Sequence, residues 1–302
     1  PRSTPSNSSA ASDVYKRQSY DLVISSSYLW AHSVITSPKT CHICYCHTPM
    51  RQAWDLYSQY YQSYPKVGMK FLYKLILHYM RLYDVVTANR VDYFVANSRY
   101  VQSRIRKYYR RESTVIYPPV DVEKFEVSED VDDYYICFSR LVPYKRVDLA
   151  VEAFNRLNKK LIVIGRGPEL KRLKKIANSN IEFLGWLPDE ELRDYLSGAR
   201  AFIFPAVEDF GIVTVEAQAS GRPAIVSRVG GAKEAIVEGV TGLTFKEQSV
   251  EDLVDTVQRL ESLNLEPQKI RENAYRFDKK VFDSTFRKFI FEKVKEFRNT
   301  GK

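Results

Sequence analysis

Two glutamates eight positions apart, Glu208 and Glu216, open and occupy the segment of this chain best suited to chemistry, Glu208 to Ser220 (EDFGIVTVEAQAS). The segment follows the apolar run AFIFP, which has the character of a buried strand, and leads into a helical pattern. A loop at the carboxyl end of a parallel strand, feeding a helix amino terminus, offers backbone N–H groups and a positive dipole end to an anion. Asp209, Phe210, Gly211 and Ile212 form that junction, and Gly211 lets the backbone approach a ligand closely. With Glu208 in the loop and Glu216 in the helix, both carboxylates can border one pocket. Paired carboxylates there suit recognition of hydroxyls and stabilisation of positive charge developing at a sugar; their bland alternative is an ordinary loop residue and a solvated helix residue.

A second cluster is cationic. In FSRLVPYKRVD, Arg140 and Lys145 frame a turn between a strand and its helix, where a planar guanidinium fork and a compact ammonium can neutralise a diphosphate. The turn VIGRGPEL places Gly165 and Gly167 after a strand, but the third position of a dinucleotide fingerprint is Leu170, and a ribose-binding acid at the end of the following strand is not convincingly supplied. An NAD-dependent enzyme is therefore not the expectation. Gly185, Trp186 and Leu187 end the next strand, where Trp186 reads either as a core aromatic or as a ligand-side residue. The run CHICYCHTPMR concentrates three cysteines and two histidines. Along a strand Cys41 and Cys44 point to opposite faces, only Cys44 and Cys46 align, and no second ligand pair completes a zinc site, so no metal is expected. His47 then enters a Thr-Pro loop at the end of that strand, with Arg51 and Trp54 just beyond.

These residues need a scaffold, and the chain supplies its pattern. From Tyr134 onward short β-branched or aromatic runs alternate with helical ones (YYICFS, VDLAVEAFNRLN, LIVIG, PELKRLKKIA, IEFLG, DEELRDYLSGA, AFIFP, PAIVS), which predicts a parallel sheet with helices on both faces. The same alternation before it is less complete, with strands near LVISS, HICYC, DYFVANS and TVIYPP and a helix over residues 67–90, whose aromatic segment KVGMKFLYKLILHYMRLY reads chiefly as packing beneath the sheet and otherwise as part of a membrane dock. The expected division is a non-native or disordered leader at 1–18, a partial acceptor-side lobe at 19–130, a donor lobe at 131–277, and a helix at 278–302 returning toward the first lobe. The leader PRSTPSNSSAASDVYKRQ lacks the apolar centre of a signal peptide. The stiff Tyr117-Pro118-Pro119-Val120 element and the charged residues after it read as the connection between lobes, with the cleft beside it.

Composition sets outer limits. Over 302 residues, 44% hydrophobic and 27% charged describes a globular protein, and the longest apolar stretch, Phe71 to Met80, is broken by Lys74 and His78. A net charge of +9 favours anionic partners without choosing among them. Four cysteines, three crowded into one run, make a poor disulfide framework and point to a reducing compartment, the cytoplasm. The basic stretch RYVQSRIRKYYRR, Arg99 to Arg111, reads as a solvated face, a nucleic-acid surface or a dock for anionic lipid.

The Glu208/Glu216 spacing is similar to the signature of family 4 glycosyltransferases of the GT-B fold. The similarity extends to FSRLVPYKRVDLAVEAF, VIGRGPE, FLGWLPDEEL, GRPAIVSRVGGAKEAIVEGVTGLTF, NSRYVQSRI and VIYPPVDVEKF, so that it covers nearly all of Ser19 to Lys302. YCHTPMRQAWDLY further resembles the WbaZ-like mannosyltransferases of surface-polysaccharide assembly. The resemblance implies an α/β GT-B architecture, two doubly wound Rossmann-like lobes facing across a cleft, the first incomplete at its amino terminus. It implies a retaining hexosyltransferase that uses a nucleotide sugar, GDP-mannose or a UDP-hexose, as substrate, with no cofactor and no obligatory metal. It places Arg140 and Lys145 at the donor diphosphate, Glu208 at the sugar, Glu216 at the ribose, and the Gly165, Gly167, Trp186 and Leu187 turns near the nucleotide. Asp209, Phe210, Gly211 and Ile212 complete the donor side, His47 reaches the transferred sugar, and Arg51 and Trp54 take acceptor-side contacts. The implied acceptor is a polyprenyl-diphosphate-linked glycan at the cytoplasmic face of the membrane, which favours the lipid reading of the basic stretch over nucleic acid. The rival expectation is a non-catalytic nucleotide-sugar-binding or membrane-docked scaffold.

Overall fold

The computed structural model describes residues 20–58, 61, 67–128 and 130–299, so the leader expected at 1–18 lies outside the described residues. The chain divides into two compact units, one of residues 1–116 with 284–302 and the other of residues 117–283.

The first unit holds a four-stranded sheet of β1 (Leu22–Ser27), β2 (Cys41–Cys46), β3 (Tyr93–Ala96) and β4 (Ser113–Val115), in that order and all parallel. Two helices follow the pattern, α1 (Lys70–Ala88) between β2 and β3 and α2 (Arg99–Tyr109) between β3 and β4. Every residue of β2 is buried, as expected of a parallel strand covered on both faces. Cys44 and Cys46 pack with Phe94, Ile105 and Tyr109 in the core, and all four cysteines of the chain are buried thiols. Ser98 caps α2, its Oγ accepting from the Val101 N–H at 3.0 Å.

In α1 the structure departs from expectation. This segment was expected chiefly to pack beneath the sheet, yet Phe71, Leu72, Ile76, Tyr79, Leu82 and Val86 are exposed, Phe71 by 74% and Tyr79 by 67%. The physical reason is that its apolar residues run around most of the helix, whereas the core takes only one stripe, Leu77, Asp84, Thr87 and Ala88. Among the described residues no helix is long and apolar enough to cross a membrane.

The second unit is built on six parallel strands: β5 (Tyr135–Phe138), β6 (Leu161–Ile164), β7 (Ile181–Gly185), β8 (Phe202–Phe204), β9 (Ala224–Ser227) and β10 (Gly242–Phe245). Their spatial order is β10-β9-β8-β5-β6-β7. Helices α3 (Val147–Leu157), α4 (Leu170–Ile176), α5 (Asp189–Gly198) and α6 (Ile212–Ala219) alternate with the strands, and α7 (Val250–Glu261) and α8 (Pro267–Ala274) follow. Alternation along the strands divides the interior into two cores. Tyr135, Cys137, Leu161 and Val163 pack with Phe154 and Leu149 of α3 on one face, while Ile136, Ile162, Ile164 and Phe204 pack on the other. Neither β10 nor α8 was anticipated: β10 is the four-residue run GLTF, and α8 has the low mean hydropathy of a helix that buries only Ile270 and Ala274. The last helix, α9 (Lys279–Asn299), begins in the second unit and from Ser284 onward belongs to the first, where Phe289 and Phe297 are buried.

Candidate active site

The strand order of the second unit decides where a ligand can bind. Chain order runs outward from β5 through β6 to β7, then returns to the other side of β5 for β8, β9 and β10. Where the order reverses, the loops leaving β5 and β8 diverge to opposite faces and leave a crevice at the carboxyl ends of the strands. The β5 loop carries Arg140 and Lys145, and the β8 loop carries Glu208. The structure brings these last two together, with Lys145 Nζ 2.7 Å from Glu208 Oε1 and the side chains 19% and 15% exposed.

Local backbone chemistry aims the lysine. Pro143–Lys145 forms a single 3-10 turn, and Arg146 takes a left-handed conformation (φ 52°) at the start of α3, its guanidinium paired with Asp148 at 3.3 Å. The Lys145 ammonium also lies over the rings of Phe204 (5.6 Å) and Tyr144 (5.8 Å), which adds attraction for a cation. Arg140 is exposed on the same loop.

On the β8 loop, Gly211 sits at φ 80° immediately before α6, and a Cβ there would lie 3.0 Å from the Phe204 ring and 3.2 Å from Ala232. Asp209 and Ile212 flank this junction with partly exposed and exposed side chains respectively. The Phe210 ring instead is only 2% exposed and packs against Tyr117 (5.4 Å) and Phe277 (5.4 Å), so this residue offers a ligand its backbone and not its ring. Glu216 lies one turn into α6; burial, and secondarily the negative charge of Asp189, raise its carboxyl above the ordinary 4.5.

Gly165 and Gly167 have a reason within the chain itself. A Cβ on Gly165 would lie 1.9 Å from the Ser139 carbonyl oxygen and one on Gly167 2.1 Å from that of Leu141, so both glycines let the β6 loop lie directly on the β5 loop. Leu141 N–H donating to Arg166 O at 2.9 Å fastens the two. Trp186 is 61% exposed, which removes the core alternative, and the Arg166 guanidinium lies 6.0 Å from its ring; Leu187 packs partly buried against the core.

A pair that residue reading missed is Gly230-Gly231, after β9. The Gly231 N–H donates to Glu208 O at 2.7 Å, and a Cβ on Gly231 would lie 1.9 Å from Asp209 O. A double glycine directly after a predicted strand was the available signal.

In the first unit, His47 leaves β2 at the carboxyl edge of its sheet. Its Nε2 is 2.8 Å from Ser26 Oγ, its ring meets Tyr45 edge-on at 5.2 Å, and burial lowers its pKa below the ordinary 6.5, favouring neutral imidazole. Arg51 pairs with Asp55 (3.4 Å), while Trp54 donates Nε1–H to Asp84 Oδ2 (2.9 Å) and stacks on Tyr108 at 4.4 Å. Arg51 and Trp54 thus have partners inside the unit. Among the described residues, no three His, Cys, Asp or Glu side chains converge as a metal-binding group.

Comparison with known proteins gives a family and a fold. A family model described as glycosyl transferases group 1 matches residues 120–277, just over half of the chain, and one described as glycosyltransferase family 4 matches residues 1–124. A GDP-mannose-dependent alpha-(1-6)-phosphatidylinositol monomannoside mannosyltransferase of Mycolicibacterium smegmatis is 29% identical over 201 residues, covering 56% of this chain and 53% of the relative. Its namesake in Mycobacterium tuberculosis is 34% identical over 143 residues, 41% of this chain and 37% of the relative. The chain therefore spans about half or less of these curated relatives. Among solved structures, sucrose-phosphate synthase of Thermosynechococcus elongatus superposes with TM-score 0.75 at 17% identity, over 92% of this chain and 75% of that one. Anabaena HepE in complex with UDP and glucose gives TM-score 0.72 at 21% identity, over 93% and 80%. The fold is GT-B, with two Rossmann-like parallel sheets.

Proposed function

Because the chain belongs to the glycosyl transferases group 1, with a family 4 glycosyltransferase region before that match, we propose that it transfers mannose from GDP-mannose to a polyprenyl-diphosphate-linked glycan with retention of anomeric configuration. The observation that carries this reading is the Lys145–Glu208 pair, 2.7 Å apart where the strand order of the second sheet reverses. It supplies one cation for a diphosphate and one carboxylate for a sugar in the same crevice. The GDP-mannose-dependent names of the mycobacterial relatives favour this donor, and the UDP in the Anabaena structure makes a UDP-hexose the competitor. Membership of the WbaZ-like mannosyltransferases is part of the same proposal.

In this reading the bond between the anomeric carbon and the diphosphate oxygen breaks as the acceptor hydroxyl oxygen bonds to the same face of the sugar. The hydroxyl proton passes to the departing diphosphate. Arg140, Lys145 and the amides that open α6 behind Gly211 take up the developing negative charge, so that no obligatory divalent ion enters the proposal. Glu208 binds the sugar hydroxyls and Glu216 the ribose. The Gly165, Gly167, Trp186 and Leu187 turns border the nucleotide. His47, neutral and at a strand end, is assigned to the transferred sugar.

A lipid-linked acceptor calls for work at the inner face of the membrane. Charge and apolar surface support that placement: the exposed face of α1 is flanked by Lys70, Lys74 and Arg81, its one acid, Asp84, is buried, and α2 adds Arg99, Arg106 and Lys107. Sedimentation with phosphatidylglycerol vesicles should remove the protein from solution and phosphatidylcholine vesicles should not; equal partitioning into both would refute an anionic surface partner.

Calorimetric titration with GDP-mannose and UDP-glucose tests the donor. Preference for GDP-mannose is expected, with Glu208→Ala and Lys145→Ala each reducing transfer by about 10²–10³-fold. Near-wild-type transfer in both variants would defeat the site assignment.

A further inference from the structure

The segment after His47 is more tightly fastened than a surface loop. Thr48, Pro49, Met50 and Ala53 are buried, so their backbone groups must be satisfied inside the unit. Helices α1 and α2 satisfy them with charged side chains. Arg104 of α2, 5% exposed, donates from Nη1 to Thr48 Oγ1 (2.6 Å) and from Nη2 to Pro49 O (3.3 Å), and its Nη2 also bonds the Asp55 carboxylate. From α1, Arg81 donates to Ala53 O at 3.1 Å. Asp84, fully buried, accepts from Trp54 Nε1 and from the Tyr109 hydroxyl, each at 2.9 Å, and from the Met50 N–H.

We propose that Arg104 and Asp84 are positioning residues that clamp the 48–56 segment from its two supporting helices and thereby fix His47 for the transfer step. The proposal rests on the functional reading above for the role of His47, but the clamp itself is a geometric claim. His47 is held on its strand side by its own N–H donating to Ser27 O at 2.7 Å and by the Ser26 hydroxyl. On its other side the chain enters the clamp at the next residue. A guanidinium is required at position 104 because three acceptors on different parts of the loop are met by one planar fork, which an ammonium cannot reproduce. An acceptor-only group is required at position 84 because every partner presented to it by Met50, Trp54 and Tyr109 is a donor. The tryptophan that the sequence marks for acceptor contact is, in this arrangement, the strut through which Asp84 holds the loop.

The test uses the full chain and two independent readouts. The first is the NMR titration of the His47 imidazole, identified by its loss in His47→Gln. The second is the split between donor affinity, measured calorimetrically, and turnover. Releasing the clamp hydrates His47, so Arg104→Lys and Asp55→Asn should move its titration midpoint upward toward 6.5, since burial alone holds it down. Turnover should fall about tenfold or more while donor affinity, which depends on the second unit, stays within about twofold, a tenfold loss corresponding to ~1.4 kcal/mol. Asp84→Asn, which sets an amide N–H₂ against donors, should behave likewise, and Arg104→Ala should be the most severe. Circular dichroism identifies any variant that fails to fold; Asp55→Asn alters only the loop's side of the contact and keeps the test open in that event. An unchanged His47 midpoint in the folded variants, or wild-type turnover in Arg104→Lys, overturns the clamp. Absence of nucleotide binding in the wild-type chain would instead defeat the transferase reading, and the histidine titration would still decide the clamp.

Discussion

At the scale of single residues, Lys145 and Glu208 are each partly buried and paired with one another, so removing one takes an ion-pair partner from the other where hydration is poor. The stability losses of Lys145→Ala and Glu208→Ala should therefore be non-additive, the double variant recovering roughly 0.5–3 kcal/mol of their sum; strict additivity in denaturant titrations would mean the two do not interact. Glu216 carries a different signature. Its folded pKa lies above the ordinary 4.5, so the folded state retains a proton that the unfolded state releases, and stability falls as pH rises from 4.5 through the folded value. Glu216→Gln removes that titration. The variant should melt higher than wild type at pH 7 and lose this advantage below about pH 4.5, while binding donor more weakly if the carboxylate serves the ribose. A pH-independent difference in melting temperature would exclude the effect. Both glutamates, the two cations of the β5 loop and His47 were legible as residue types in the right local pattern. Their pairing was not, because Lys145 meets Glu208 through strand order, which no local spacing reveals. Nor was the burial of Phe210, which depends on Tyr117 and Phe277 arriving from distant parts of the chain.

At the scale of elements, the loops at the carboxyl edge of the second sheet support one another by backbone contact. Gly165 and Gly167 lay the β6 loop on the β5 loop, and Gly231 lays the β9 loop on the carbonyl oxygen of Asp209. A methyl group at position 231 must displace backbone, so Gly231→Ala should destabilise the protein by about 1–3 kcal/mol and reduce transfer further by shifting Glu208. Unaltered melting and turnover would show that the β9 loop is free to move. The alternation of strands and helices from Tyr134 onward was readable because fully buried parallel strands such as LIVI leave continuous apolar runs between amphipathic helices. Short β10 and polar α8 fell below what a periodic pattern resolves. The exposed face of α1 was misjudged for the opposite reason: with apolar residues around most of its circumference, periodicity cannot say which stripe the core takes.

At the scale of the whole molecule, both sheets are entirely parallel, and the residues proposed to meet substrate follow strand ends in each unit. The three tryptophans divide usefully: Trp30 and Trp54 belong to the first unit and exposed Trp186 to the second. Nucleotide should quench tryptophan emission, and Trp186→Phe should abolish that response; persistence of the response in the variant would move the base away from this loop. The strand that leads into Trp186, β7, lies at the rim of its sheet, with β6 between it and β5. Neighbours of a rim strand can be lengthened, shortened or re-lettered while the interior strands keep their register. On the proposed reading, a lineage built on this plan is free to exchange one nucleotide base for another at the periphery, generation after generation, without reopening the charged centre on which every such exchange relies.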